Sequence, residues 1–412
     1  MAVTSLERPR DKFVPLSRAA LLELLPRLDP LSEEEQAGFV RFADRLAAQL
    51  HQDFHSQLRE LKSAYTPFDP DCDDHAIRTW SAAQRDEELD QFFSRIAWLL
   101  QRANYVRLDR HDVEEACRLV SDWGINMEVD FSVFDRWLIF ARGDRVEKRP
   151  RRRWRKGWRT ELAEVDVFSR MVIVLKLRRG GLQGPDVDTR HIFLKMFKNI
   201  PQMDLEMLLP GSRVRFSNFD RGKLGLSLLS GLVLAFWNVL KTTLLPLIGV
   251  GATVVAPGSM TLWWGLTAGT LGYGWRSFYS YNWTQTRYRL TLTSNLYYRN
   301  LDNNAGVLFR LVDEAEEQEG REALLAYWLL WRQGGEDGLV RCEIDRRIEA
   351  LLHEQTGHHC DFEISDALAK LLRLGLIHEV AHEVYKALPL GTALEKLEER
   401  WRAELRPTGG SR

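Results

Sequence analysis

The chain has 412 residues with 57 basic and 58 acidic side chains, so its balanced charge supplies no global pull toward nucleic acid or any other polyanion. Its four cysteines, Cys72, Cys117, Cys342 and Cys360, are few and irregularly spaced, which argues against a disulfide framework and fits a reducing compartment. Met1 to Arg18 has no apolar core behind its charges, so no cleavable secretory signal is expected.

Residues 1–124 read as a helical N-terminal part. Ala19 to Leu25 is a short helix interrupted by Pro26. Ser32 followed by Glu35 is a capping-box pattern, and Phe39, Phe42, Ala43, Leu46, Leu50, Phe54 and Leu58 then recur at helical spacing up to Tyr65. The acids Asp71, Asp73 and Asp74 invite a calcium reading, but Asp74 stands where an EF-hand loop needs glycine and Trp80 where it needs glutamate, so an acidic helix-capping turn is expected. Further helices are expected from Glu87 to Ala103 and from Asp112 to Ser121.

From residue 125 to 222 the apolar period changes to alternation. Met127 to Asp130, Trp137 to Ala141, Val165 to Leu177, His191 to Phe197 and Val214 to Phe216 read as strands of a small antiparallel sheet, completing an α+β unit. Inside it lie Arg149, Arg151, Arg152, Arg153, Trp154, Arg155, Lys156, Trp158 and Arg159. Guanidinium groups interleaved with indoles suit an anionic surface, either lipid headgroups or a nucleic-acid backbone, while a solvated loop between two strands is the plain alternative.

Between Leu224 and Trp275 only Lys241 is charged. A bilayer crossing takes about 20 apolar residues, so residues 223–276 predict a transmembrane two-helix hairpin, turning near Pro246 to Gly251 or near Pro257 to Ser259. With the first turn Lys241 snorkels to the interface; with the later one it lies deeper and needs a partner. Arg213, Arg215, Arg221 and Lys223 before the run and Arg276, Arg287 and Arg289 after it place both ends on the cytoplasmic side, so the expected location is a cell inner membrane with cytoplasmic termini. A buried hairpin inside a large soluble domain is the alternative.

Residues 277–320 read as a connection and an acidic helix, with Asn303 or Asn304 as cap, Val307, Leu308, Leu311, Val312 and Ala315 as an apolar stripe, and Glu314, Glu316, Glu317 and Glu319 facing water. Asn295-Leu296-Tyr297-Tyr298, Leu301-Asp302-Asn303-Asn304, Asp313 to Glu319 and Glu322 to Tyr327 resemble the uncharacterised family of transmembrane protein 143. Phe13-Val14-Pro15, Tyr65-x-Pro67-Phe68-Asp69-Pro70, Leu194-Lys195-x-Phe197-Lys198-x-Ile200-Pro201 and Leu208 to Gly211 resemble it as well. The resemblance implies a paired span near the middle of the chain, with animal relatives in mitochondria and bacterial ones in the cell membrane, and it implies no activity. The arginine–tryptophan run is not among the resembling segments.

Residues 321–406 read as a winged-helix-like domain: helices over Ala323 to Trp331, Ile344 to Gln355 and Ile364 to Leu374, wing strands at Leu376-Ile377 and Val384-Tyr385, and a closing helix from Thr392 to Leu405. The third helix carries Asp361, Glu363 and Asp366 against Lys370 and Arg373, and acids repel phosphate, so protein contact or self-association is expected and nucleic acid disfavoured. His378-Glu379-Val380-Ala381-His382 matches the zinc-protease string, which works only on a helix and here falls where a wing strand is expected. His353, His358, His359 and Cys360 form a second, unpaired cluster. The sequence therefore predicts a membrane-anchored scaffold or regulator with no cofactor or metal, the alternatives being a membrane-tethered nucleic-acid binder or a zinc hydrolase.

Overall fold

The computed structural model describes residues 11–72, 81–121, 126–152, 160–180, 189–210, 212–215 and 297–405. They fall into two compact units. The first comprises Met1–Asp109, Phe131–Gln202 and Asn300–Arg412; the second comprises Arg110–Asp130 and Met203–Arg299.

The first unit is organised by two long helices. α1 (Arg18–Leu28) starts where Ser17 Oγ accepts from the Ala20 amide at 3.2 Å. α2 (Glu33–Tyr65) starts at the expected capping box, Ser32 with Glu35, and its first turn is acidic, matching the helix dipole. Its stripe from Phe39 to Tyr65 is buried as the spacing demands. α3 (Ala82–Arg102) begins five residues before the expected Glu87, because Ser81 and Gln84 form a second capping box. α5 (Ala305–Gln333) is amphipathic up to Ala315, and every residue from Ala323 to Leu330 is buried. A helix apolar all round must lie inside protein, and α2 covers this one: Phe42 stacks on Tyr327 at 4.1 Å between ring centroids and Phe39 meets Trp328 at 4.7 Å.

Five antiparallel strands complete this layer in the order β1 (Val106–Leu108), β3 (Phe134–Arg152), β4 (Thr160–Leu177), β5 (Ile192–Pro201) and β7 (Asn300–Asn303). Asn304 joins β7 to α5 at φ 47° and ψ −124°, a positive-φ backbone held by the bonds its side chain makes. Its side chain does not cap α5; its Nδ2 donates to Asp71 Oδ2 at 2.6 Å and its Oδ1 accepts from the Leu194 amide at 3.3 Å. Tyr65 Oη donates to the Ile192 carbonyl at 2.8 Å, so the end of α2, the sheet edge and the start of α5 are tied at one point.

After α5 come β8 (Leu339–Val340), α6 (Arg341–Thr356), α7 (Ile364–Leu374), β9 (Ile377–Ala381) and β10 (Val384–Ala387), the three strands pairing antiparallel in the order β8-β10-β9. α8 (Leu390–Leu405) returns to α2, where a Cβ on Gly38 would meet Leu390 Cδ2 at 3.1 Å. These C-terminal elements share one hydrophobic core with α1, α2 and α3.

In the second unit the described elements are α4 (Arg110–Ser121), β2 (Asn126–Val129) and β6 (Ser212–Arg215), with β2 and β6 antiparallel from Asn126↔Arg215 to Val129↔Ser212.

The expected transmembrane hairpin over 223–276, with Lys241, lies outside the described residues, and no helix among them is long and apolar enough to cross a membrane. α2 has 33 residues and α5 has 29, enough to span by length alone, but each carries a charged face: Glu33, Arg41, Asp44 and Arg59 on one, Glu314, Glu317 and Arg321 on the other. The architecture is thus α+β, built from helices and antiparallel sheets, without the expected transmembrane hairpin among the described residues. The classification as a membrane protein with a transmembrane helix rested on that hairpin and is corrected with it.

Candidate functional site

Two features bear charge in a way that packing alone does not require. The first is a β-ribbon. β3 and β4 remain paired from Val146↔Asp166 to Arg152↔Thr160, whereas β1 accompanies β3 only as far as Ala141 and β5 accompanies β4 only from Val167. At about 3.3 Å per residue, these seven pairs run roughly 20 Å past both neighbours. The ribbon leaves the sheet beside Gly143, whose φ of 73° and whose separation from Ser169 Oγ, 2.5 Å from any added Cβ, admit only glycine. Of the residues read from sequence as an anion contact, Arg151 and Arg152 lie at the end of β3, paired with Glu161 and Thr160. Arg153, Trp154, Arg155, Lys156, Trp158 and Arg159 lie outside the described residues.

The second feature is an ionic cluster inside the first unit. Lys370 on α7 places its ammonium 3.1 Å from Glu319 Oε2 and 3.7 Å from Glu322 Oε2, both on α5, with the three side chains 7 %, 1 % and 2 % exposed. Arg102 at the end of α3 pairs with the other Glu319 oxygen. The Lys370–Glu319 contact is an ion pair whose angles fall outside hydrogen-bond geometry. Glu322 Oε1 instead accepts from Asn104 Nδ2 at 2.7 Å and from Gln318 Nε2 at 2.8 Å. Burial pushes the Glu322 carboxyl up to about 7, against the opposing pull of Lys370, Gln318 and Asn104.

This cluster holds the segment before α1. Asn104 Nδ2 donates to the Lys12 carbonyl at 2.8 Å, the Val14 amide donates to Gln318 Oε1 at 3.3 Å, and Arg321 Nη1 donates to the Val14 carbonyl at 3.3 Å. Beside it Glu314 accepts from Tyr105 Oη at 2.8 Å and from Arg142 Nη2 at 3.0 Å, and the Arg142 guanidinium lies 4.3 Å from the Phe13 ring centroid. Glu314 and Glu319, expected to face water, are therefore interior groups. Their partners stand far away in sequence, which is why charge patterning along one helix missed them.

The remaining sequence candidates separate. His378 and Glu379 lie on the exposed strand β9 and His382 in the turn after it, so the two imidazoles are not one helical turn apart, and Glu379 Oε1 accepts from the Glu383 amide at 2.9 Å. The string lacks the helix that zinc-protease chemistry needs. His353 and His359 stack at 4.0 Å with rings 13° apart, which leaves their in-plane lone pairs parallel instead of converging. Cys360 is buried with Sγ 3.4 Å from the Phe13 carbonyl, and burial pushes its thiol up, away from the thiolate a nucleophile requires. Asp69 Oδ1 closes the local turn by accepting from the Asp71 amide at 3.0 Å, and Asp71 Oδ2 accepts from Asn304, while Asp73, Asp74 and Trp80 lie outside the described residues.

The third helix of the C-terminal module is turned inward. Lys370 is consumed by the cluster, Arg373 pairs with Asp53 on α2 at 3.1 Å, and Glu363 pairs with Lys12. A shallow groove of about 150 Å³ between α2 and α3, lined by Gln57, Glu60, Leu61, Arg95, Trp98, Leu99 and Val312, holds no nucleophile beside a base.

No solved structure matches the chain. Residues 168–306 match a family described as a protein of unknown function, DUF3754, a span that begins after the arginine–tryptophan run. That match supports an uncharacterised family and carries neither the narrower transmembrane protein 143 assignment nor a membrane location; over residues 168–306, the chain is similar to the family of unknown function DUF3754.

Proposed function

We propose that the protein is a non-catalytic scaffold that uses the β3–β4 ribbon to hold a phosphate-bearing anionic surface. The observation that carries this reading is the register itself: two strands continue to Arg152↔Thr160 with no third strand beside them among the described residues, and they lead directly into the basic run. Each arginine or lysine near an anionic lipid surface contributes about 1 kcal/mol. Trp154 and Trp158 favour headgroups over a nucleic-acid backbone, because indoles prefer the apolar-to-polar boundary of a lipid surface. Such contact is peripheral and needs no spanning helix.

The C-terminal module supports the scaffold reading from the other side. Its helix–strand–helix–helix–strand–strand order is that of a winged helix, yet the helix that reads the major groove in DNA-binding versions has its bases committed to α5 and α2. The edge strand β9, with His378 to Ala381 exposed, is the face it offers to a protein partner or a second copy.

The full chain is expected to sediment with vesicles containing phosphatidylserine and to stay in solution with pure phosphatidylcholine. Arg152→Ala is expected to weaken the anionic interaction roughly fivefold, the equivalent of one basic residue at the surface. Equal binding to both vesicle types would refute the reading.

A further inference from the structure

Two histidines do share one helical face in this protein, though not in the string that resembles a protease. His51 and His55 lie four residues apart on α2, the spacing that stacks two side chains on one helical face, and their ring centroids are 6.0 Å apart. Both are exposed. Across from them on α5, Glu316 approaches His51 Nδ1 with its two carboxylate oxygens at 3.0 and 3.2 Å. Glu316 is the more buried partner, its side chain 23 % exposed against 67 % for His51, so the carboxylate is a fixed point and the imidazole the movable one.

The geometry points to a surface site for a borderline divalent transition metal ion, of the Zn²⁺, Ni²⁺ and Cu²⁺ class, held by His51 and His55 and completed by water. Three properties of the arrangement recommend it. An i,i+4 histidine pair is the helical element that zinc sites use, and here it stands on a helix that is pinned along its whole inner face, so the backbone separation of the two ligands is preset. A carboxylate at Nδ1 selects the tautomer that carries the proton there, which leaves Nε2 of His51 as the free lone pair. Imidazole ligands suit this class of ion and disfavour magnesium or calcium, which take oxygen ligands. Glu316 is a positioning residue: it orients His51 and does not touch the metal. The pair His353 and His359 instead stacks face to face, and His378 on β9 and His382 in the turn after it are not one helical turn apart.

The test uses the full chain with Zn²⁺ alone, measured by competition against a chromophoric chelator. His51→Gln/His55→Gln is expected to remove one equivalent of bound zinc, whereas His378→Gln/His382→Gln leaves the stoichiometry unchanged. Glu316→Gln is expected to keep that equivalent but weaken it by at least about tenfold without a matching loss of thermal stability in metal-free buffer, which separates orientation of a ligand from a structural role. Because both imidazoles are exposed, the double variant keeps its core, and circular dichroism confirms it. Substitution with Co²⁺ gives an independent readout, ligand-field absorption that disappears in the double variant. Zinc stoichiometry and cobalt absorption both unchanged in His51→Gln/His55→Gln would overturn the proposal and leave His51 and Glu316 as an ion pair only.

Discussion

Lys370→Met is expected to destabilise the protein by about 3–5 kcal/mol at pH 8, the cost of leaving buried carboxylates without their counterion. The methionine fills nearly the same volume, so the loss is electrostatic and not a cavity. Lys370 is the only cation that reaches both Glu319 Oε2 and Glu322 Oε2 among the described residues, and all three side chains are sealed from water by α5, α7 and the segment Lys12 to Val14. Arg102 keeps one Glu319 oxygen, which prevents outright unfolding. Urea denaturation followed by tryptophan fluorescence measures the effect as a shift of the midpoint at constant slope. The companion variant Lys370→Met/Glu319→Met/Glu322→Gln is expected to recover most of the loss, because no buried carboxylate is then left without its counterion, and a buried ionic group replaced as a whole by uncharged side chains is often neutral. A loss below about 1 kcal/mol for Lys370→Met alone would mean that the cluster is hydrated and does not clamp the helices.

Glu322 sets the sign of a pH dependence. Its folded-state carboxyl is raised to about 7, while in the unfolded chain a glutamate titrates near 4.3. Between those values the folded protein binds the extra proton. This group's contribution is therefore greatest at low pH, falls as pH rises through the window, and is lost above about 7, amounting to roughly 3 kcal/mol in total. Surface carboxylates held low by arginine or by a cap, such as Asp29, Glu35 and Glu343, change stability in the opposite sense. The Glu322 contribution is therefore read as a difference against Glu322→Gln, which keeps an acceptor for Asn104 and Gln318. That variant should match the wild type at pH 4.5 and exceed it by roughly 3 kcal/mol at pH 8. A difference curve that is flat across this range would show that Glu322 is not desolvated.

The elements with one strong periodic signal were legible in the amino-acid order. The stripe from Phe39 to Tyr65 and the Ser32–Glu35 box place α2 within a residue of its observed ends, because local hydrogen bonding and one buried face settle that helix together. β3 extends past the expected Trp137 to Ala141, and β4 begins before the expected Val165, since a ribbon flanked by no third strand among the described residues needs no apolar alternation and basic residues do not announce it. The uncharged run from Leu224 to Trp275 lies outside the described residues, and run length alone does not choose between lipid and protein as what keeps such a segment from water. The buried ions were illegible in principle: Glu319 and Lys370 are separated by most of the C-terminal module, and only folding brings them together. His51 and His55 are legible as an i,i+4 pair on α2, whereas the string at His378 sits on a strand.

The central claim, that the tip of the β3–β4 ribbon is what meets an anionic surface, is tested most directly by neutralising it. Full-length Arg151→Gln/Arg152→Gln/Arg153→Gln/Arg155→Gln should retain the wild-type fold, since Arg151 and Arg152 lie past the part of the β3–β4 pair that β1 and β5 flank. Its binding to phosphatidylserine vesicles should fall to the level seen with neutral vesicles; binding that stays at the wild-type value would contradict the account.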